Sequence, residues 1–230
     1  MEFLGIITAR GGSKGILRKN IKKLAGKPLI QYTFNVVKKS RLLNRCIVST
    51  DSDEIIEYSK SEDLEVPFKR PKELARDESK SIDTLIHAVK YLKNKEDYEP
   101  DYVITLQPTS PLRLAKDIDN AINLIKNDKK ADSLVSIVKV PHNYHLDSIM
   151  ILKNKYLKNY HQHAKIKRRQ ELSTLYARNG AAIYITKLEL LMERKILGNY
   201  CLPYIMPKER SIDIDDMFDW KIAEFLLKDI

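Results

Sequence analysis

Cysteine and glycine are scarce in this chain, and no long apolar run interrupts it. Its two cysteines, Cys46 and Cys201, stand far apart among 230 residues, which excludes a disulfide framework and a cysteine-ligated zinc site. Cys46 lies in the apolar run Cys46-Ile47-Val48 and Cys201 precedes Leu202-Pro203, so both read as buried thiols in a reducing compartment. Seven glycines and nine prolines exclude a collagen-like chain. No apolar stretch nears the roughly 20 residues that cross a bilayer. The opening Met1-Glu2-Phe3-Leu4-Gly5-Ile6-Ile7 lacks the basic start of a secretory signal. The expectation is a cytoplasmic protein with no membrane partner.

Charge, by contrast, is plentiful. Lys and Arg number 41 against 31 Asp and Glu, a net charge of +10, which suits an anionic partner. The cations are spread along the chain with acids between them, and no helix-turn-helix, zinc finger or aromatic RNA motif appears, so nucleic acid is not the expected partner. With 43% apolar residues the chain can bury a core without staples, and residues 1–230 read as a single domain.

Short apolar runs alternate with amphipathic stretches. Strands are expected at Phe3–Ala9, Arg45–Ser49, Tyr102–Leu106, Leu134–Val140 and Ala182–Ile185, with a strand end near Val66-Pro67-Phe68. Helices are expected after Pro28 (Ile30, Phe34, Val37), at Ser52–Lys60, over Ile82–Leu92, around Ile118–Ile125 and at Phe218–Leu226, where apolar residues recur at three and four. This alternation predicts an α/β fold of three layers, αβα, around a mainly parallel sheet, with ligands bound beyond the carboxyl ends of the strands. From Pro141 to Ala177 no clean period is found. This segment holds four of the five histidines and the basic cluster Lys165, Lys167, Arg168, Arg169, and reads as an inserted arm, 141–177.

The first strand runs into Arg10-Gly11-Gly12-Ser13-Lys14-Gly15-Ile16-Leu17-Arg18-Lys19-Asn20. Three glycines let the backbone turn tightly and bring its N–H groups to an anion. Arg10, Lys14, Arg18 and Lys19 add cations, and Ser13 a hydroxyl. The spacing is neither the Walker pattern nor the dinucleotide fingerprint. Toward the other end, Asp213 and Asp215 are two apart, so in an extended segment their carboxylates share a side, as a magnesium ion beside phosphates requires. The competing reading is an acidic cap on the last helix.

At this loop the sequence resembles the CMP-N-acylneuraminate synthetases, the cytidylyltransferases that activate sialic acid and related nine-carbon sugar acids. The resemblance rests on five blocks in chain order: Ala9–Asn20; Arg70-Pro71 with Glu73-Leu74-Ala75, Asp77 and Ser81; Leu106-Gln107-Pro108-Thr109-Ser110-Pro111-Leu112-Arg113; Arg169-Gln170 with Asn179-Gly180-Ala181; and Ser211-Ile212-Asp213-Ile214-Asp215. It implies the nucleotide-diphospho-sugar transferase variant of a Rossmann-like fold, a homodimer joined through the arm, and transfer of CMP from CTP to the anomeric hydroxyl of the sugar acid with release of pyrophosphate. It further implies that Arg10, Lys14 and Lys19 are catalytic. The nucleotide would meet Arg10, Gly11, Gly12, Ser13, Lys14, Lys19, Asn20, Arg70 and Ser81. The sugar would meet Gln107, Arg169 and Tyr184, and Mg2+ would sit on Asp213 and Asp215.

Several of these residues have plainer readings. Ser81 could be a helix N-cap, Gln107 a turn-stabilising amide, and Arg113 half of an ion pair. Asp51, Asp216 and Asp219 read as turn and capping residues. In the family a second arginine often stands two before the Asn of Asn-Gly; here that position is Ala177, Arg178 is shifted by one, and Ala182 is an additional alanine. Other readings are a synthetase for the eight-carbon acid Kdo or for another sugar, a nucleic-acid-binding protein, and a non-catalytic nucleotide-binding protein on the same fold.

Overall fold

The structure, a computed structural model, describes residues 1–161 and 168–229. Strand β1 (Phe3–Thr8) leads into the glycine-rich loop. A two-residue ribbon, β2 (Lys23–Leu24) and β3 (Lys27–Pro28), precedes helix α1 (Leu29–Lys39), β4 (Arg45–Ser49) and α2 (Asp53–Ser61). Then come α3 (Ser81–Glu96), β5 (Tyr102–Leu106), α4 (Ala115–Asn127) and β6 (Ser133–Lys139). The arm contributes a hairpin, β7 (Met150–Lys153) with β8 (Tyr156–Asn159), and β9 (Tyr176–Arg178). The chain continues through β10 (Tyr184–Lys187), α5 (Leu188–Met192), β11 (Cys201–Ile205) and α6 (Met217–Leu226).

The sheet order is β11-β6-β10-β5-β1-β4, with β9 also on β6. The β1–β4, β1–β5 and β6–β11 pairs are parallel, whereas β10 and β9 run antiparallel to their neighbours. Side-chain alternation along β1 separates two cores. Phe3 and Ile7 join Ile30, Phe34 and Ile55 of α1 and α2 and Ile118, Ile122 and Ile125 of α4 on one face. Leu4 and Ile6 meet Ile82, Leu85, Val89 and Leu92 of α3 and Leu191 of α5 on the other. The sheet is thus sandwiched between two helical layers, as the periodicity predicts.

The boundaries differ in instructive places. β11 is absent from the sequence reading because Pro203 interrupts it; it is an edge strand, the position a proline tolerates. The expected strand end at Val66-Pro67-Phe68 reduces to isolated bridges, Ile47 to Glu65 and Thr50 to Lys69. The expected strand at Ala182–Ile185 starts later, at Tyr184, for a reason that matters to the site. Between the pairs Ile137↔Arg178 and Val135↔Tyr184, β6 moves two residues and its partner six. The extra residues, within 179–183, bulge out of the sheet at the carboxyl end of β5.

A third, small core lies under the loop that follows β1. Ile16 from that loop, Leu24 and Leu29, Ile214, and Trp220 and Ala223 of α6 bury one another. Each fully buried aliphatic chain of this kind is worth about 1.5–3 kcal/mol. Glycine-rich loop and acidic segment are therefore welded together by their apolar residues. No helix among the described residues is long and apolar enough to cross a membrane.

Candidate active site

Beyond the carboxyl ends of β1 and β5 the chain leaves a cleft of about 430 Å³. Arg10, Gly12, Ser13, Lys14, Gly15, Lys19 and Asn20 form one wall, Asp213 and Asp215 another. Arg70, Arg76, Asp77 and Ser81 come from the segment before α3, and Gln107 and Thr109 from the end of β5. Five cations face three carboxylates, leaving the cleft electropositive.

The loop is held open by its own polar residues. Asn20 donates Nδ2–H to the Arg10 carbonyl at 2.9 Å, and the Lys19 N–H donates to Ser13 Oγ at 3.2 Å. Arg18 takes a left-handed backbone, φ 53°, which turns its side chain out of the cleft onto Glu54. Of the four cations in the loop, three therefore face the cleft. Arg10 and Lys14 both meet Asp77, at 2.7 and 3.0 Å. Lys14, then Arg10, holds the Asp77 carboxyl below its ordinary range. Gly11 points the other way: its N–H already donates to Asp51 Oδ1 at 2.9 Å, so Asp51 serves as a tie between loop and β4.

On the opposite wall the chain is extended and alternates. Ile214 turns down into the small core, which sends Asp213 and Asp215 up into the cleft. The Ile214 N–H donates to the Thr109 carbonyl at 2.9 Å, and its own carbonyl accepts from Lys19 Nζ at 2.6 Å. A Cβ added to Gly15 would stand 2.3 Å from the Asp215 carbonyl oxygen, so loop and acidic segment touch through backbone alone. The expected capping roles fall to Asp216, which accepts from Phe218 and Asp219 N–H groups at the start of α6, and to Asp219, which accepts from the Asp216 N–H. Asp213 is left free of that work. Burial pushes its carboxyl above the usual range; the Thr109 hydroxyl opposes this, Asp215 adds to it and Lys19 opposes it. Its Oδ1 is buried with no hydrogen-bond partner. Among the described residues no three of His, Cys, Asp and Glu gather as a metal site, but an orphaned carboxylate oxygen with a second carboxylate two residues on fits a hard cation that completes its shell with phosphate oxygens and water.

The bulge at 179–183 backs the acidic wall. Gly180 sits at φ +70°, and a Cβ there would lie 2.3 Å from Asp213 Oδ2; only glycine lets the bulge rest on that carboxylate. Asn179 donates Nδ2–H to Ser211 Oγ at 3.1 Å. The backbone of Gln107 is held at both ends: its N–H donates to the Ala181 carbonyl at 3.2 Å, and its carbonyl accepts from Arg113 Nη1 at 3.3 Å. Arg113 is among the most deeply buried side chains in the molecule. Among the described residues it forms no ion pair, and it does not line the cleft. Instead its guanidinium donates to the Ala182 carbonyl at 2.5 Å and to Thr33 Oγ1 at 2.8 Å, and burial lowers its pKa to about 10. Arg70 is similar: buried, lowered to about 10 by desolvation, and bonded to Ser49 Oγ at 3.0 Å.

The remaining expected residues are placed as follows. Ser81 is the first residue of α3 with Lys80 before it as N-cap, so it caps nothing and lines the cleft. Tyr184 opens β10, half-buried; burial raises its hydroxyl, with Arg178 opposing and Asp213 adding. The backbone of Arg169 lies in a short turn, Arg169–Glu171; its side chain, with His163, Lys165 and Lys167, lies outside the described residues. The arm's hairpin is exposed along both strands. Cys46 carries a thiol pushed up to about 12 by burial, consistent with an inert position in the core. Arg76 and Asp77 are cleft residues to which the sequence alone assigned no role.

The chain matches the family model described as Cytidylyltransferase over residues 4–222. It is 33% identical to post-translational flagellin modification protein B of Campylobacter coli, over 99% of this chain and 96% of that one. It is 32% identical to the N-acylneuraminate cytidylyltransferase of Escherichia coli over 96% of its length, and it spans 51% of that longer relative. It is 33% identical to the CMP-N,N'-diacetyllegionaminic acid synthase of Campylobacter jejuni, covering 98% and 95% of the two chains. Among solved structures, a CMP-2-keto-3-deoxy-manno-octonic acid synthetase complexed with CTP superposes with a TM-score of 0.74 at 14% identity, over 100% of this chain and 99% of that one.

Proposed function

Because the chain belongs to the cytidylyltransferase family, we propose that it transfers CMP from CTP to the anomeric hydroxyl of a nonulosonic, sialic-type sugar acid. The observation that carries this reading is the convergence of the cationic loop and the Asp213–Asp215 pair on one cleft. Relatives named for sialic and legionaminic acid activation support it.

In this reading the triphosphate lies on the 10–20 loop. Arg10, Lys14 and Lys19 offset its charge, while Gly12, Ser13 and Asn20 give the loop its shape. Arg70 is too buried to grip phosphate freely; it shapes the nucleotide side with Ser81. Gln107, Tyr184 and Arg169 receive the sugar acid, the last by pairing with its carboxylate. The anomeric oxygen attacks the α-phosphorus in line, a new P–O bond forms, the bond to pyrophosphate breaks, and the hydroxyl proton passes to water. Among the described residues no histidine lines the cleft; positioning and charge neutralisation carry the rate. Asp213 and Asp215 would hold Mg2+, which when bound supplies positive charge to phosphate oxygens. The enzyme works in the cytoplasm, where CTP is made.

The arm completes a homodimer. Met150, Leu152 and Leu157 share one face of the β7–β8 ribbon and are exposed, and a two-stranded ribbon is marginal alone in water. A second copy of this arm is the occupant that face suits.

Incubation with CTP, Mg2+ and a panel of nonulosonic acids should release pyrophosphate and yield a CMP-sugar identifiable by mass spectrometry. No release with any nonulosonic acid would refute the reading, and release with Kdo alone would replace it with the eight-carbon alternative.

A further inference from the structure

We propose that Asp77 is a built-in competitor for the triphosphate: its carboxylate occupies the two loop cations that the nucleotide must take, so binding is an exchange of anions and Asp77 sets the nucleotide affinity. The inference rests on the reading of the 10–20 loop as a triphosphate site.

The geometry is that of a bridging phosphate. Arg10 Nη1 lies 2.7 Å from Oδ1 of Asp77, and Lys14 Nζ lies 3.0 Å from Oδ2, one oxygen to each cation. The pairing spans 67 residues, so it is a tertiary contact and not a local turn. Its two sides are anchored unequally. Arg10 follows directly on β1 and is pinned through its carbonyl by Asn20. Asp77 rides on a segment, 71–80, in which no residue is buried. That segment is shaped by its own short-range bonds, Ser79 Oγ to the Glu73 carbonyl at 2.7 Å and Ser79 N–H to the Arg76 carbonyl at 3.2 Å. None of its residues belongs to the three cores, and its tie to α3 is the Thr84 hydroxyl on the Leu74 carbonyl at 3.4 Å, so the carboxylate can leave without disturbing the sheet or its helices.

The exchange favours the nucleotide on charge alone, since one carboxylate is replaced by a polyanion. It also leaves the other loop cations unaffected. Lys19 is held by the neutral Ile214 carbonyl, and Arg18 is paired with Glu54 outside the cleft. Asp77 is the one carboxylate among the described residues that pairs with Arg10 or Lys14. A permanent positioning role would predict the opposite sign: if Asp77 aimed Arg10 and Lys14 at the nucleotide, removing its charge would weaken binding. Because both pairs are partly exposed, the effect is a factor of several and is screened by salt.

The test is calorimetric binding of CTP, and separately of inorganic tripolyphosphate, to the full chain without sugar acid, at low and at high salt. Asp77→Asn should tighten both about three- to tenfold at low salt, with a steeper salt dependence than wild type, because one more net cation faces the ligand. Asp77→Glu should stay near wild type. Thermal unfolding of each variant separates a loosened fold from a changed site. Unchanged or weaker binding by Asp77→Asn, with wild type still binding CTP, would overturn the proposal and leave the proposed function standing. Failure of wild type to bind either anion would overturn both.

Discussion

The cleft and the arm dispose of their apolar residues in opposite ways. Around the cleft, Ile16 and Ile214 are withdrawn into a core with Trp220, and this burial is what presents the loop cations and Asp213 and Asp215 together. In the arm, Met150, Leu152, Tyr156, Leu157 and Tyr160 lie on the surface. In the first region the described walls all come from one chain, and preorganised charge of this kind needs no further rearrangement to act. The second gathers exposed apolar side chains on one ribbon face, the surface on which the proposed dimer rests. If the proposed chemistry lies on the first region and the proposed association on the second, substitution separates the two.

The sharpest break in that contrast is on the rigid side. Asp215→Asn keeps size and extended backbone but removes a charge from the cleft. Its turnover should fall about 10²–10³-fold, the usual cost of losing one preorganised electrostatic partner, with thermal unfolding unmoved. Retained activity would remove the acid pair from the mechanism. Gly15→Ala comes next. The added Cβ would stand 2.3 Å from the Asp215 carbonyl, so loop and acid pair must part by about 1 Å to restore contact distance. Misplacement on that scale costs about 10² in rate, and steady-state kinetics at saturating CTP would show it as a loss in kcat.

Much of the rigid region was legible in advance, for a physical reason. Strands buried on both faces read as unbroken apolar runs, so β1, β4 and β5 stood out, and the residues just after them were the ones to inspect. α1 and α3 announced themselves by period. The strands within the arm were not legible because nothing in one protomer imposes a pattern on them: β7 and β8 are exposed at every position. β11 was hidden by Pro203, and the bulge at 179–183 by the absence of any sequence rule for where a strand leaves its register. The pairing of Arg10 and Lys14 with Asp77 and the burial of Arg113 are long-range facts; local spacing carries no trace of either.

Arg113 offers an intermediate test, since it joins the Gln107 backbone to the bulge. Arg113→Met fills the volume but strips the Gln107 and Ala182 carbonyls of a donor, at about 1–3 kcal/mol each when buried. The variant should melt earlier. If the guanidinium also sets the position of Gln107, KM for the sugar acid should rise about tenfold, while KM for CTP stays near wild type. A fall in melting temperature with both KM values unchanged would reduce Arg113 to a structural part.

The smallest expected effect on the protomer is in the arm, and it tests the other half of the contrast. Leu152 and Leu157 face each other across the ribbon and are 65% and 62% exposed. Changing both to Lys leaves the two cores and the cleft untouched, so unfolding free energy per protomer should move by no more than about 0.5 kcal/mol. Yet two charges on an apolar interface face are costly to desolvate. Light scattering should therefore show a monomer in place of the proposed dimer, and CTP binding should persist in that monomer because the described cleft walls come from one chain. A variant that stayed dimeric would mean the ribbon is not the contact. A monomer that lost CTP binding would mean that the cleft is less self-contained than its small core implies.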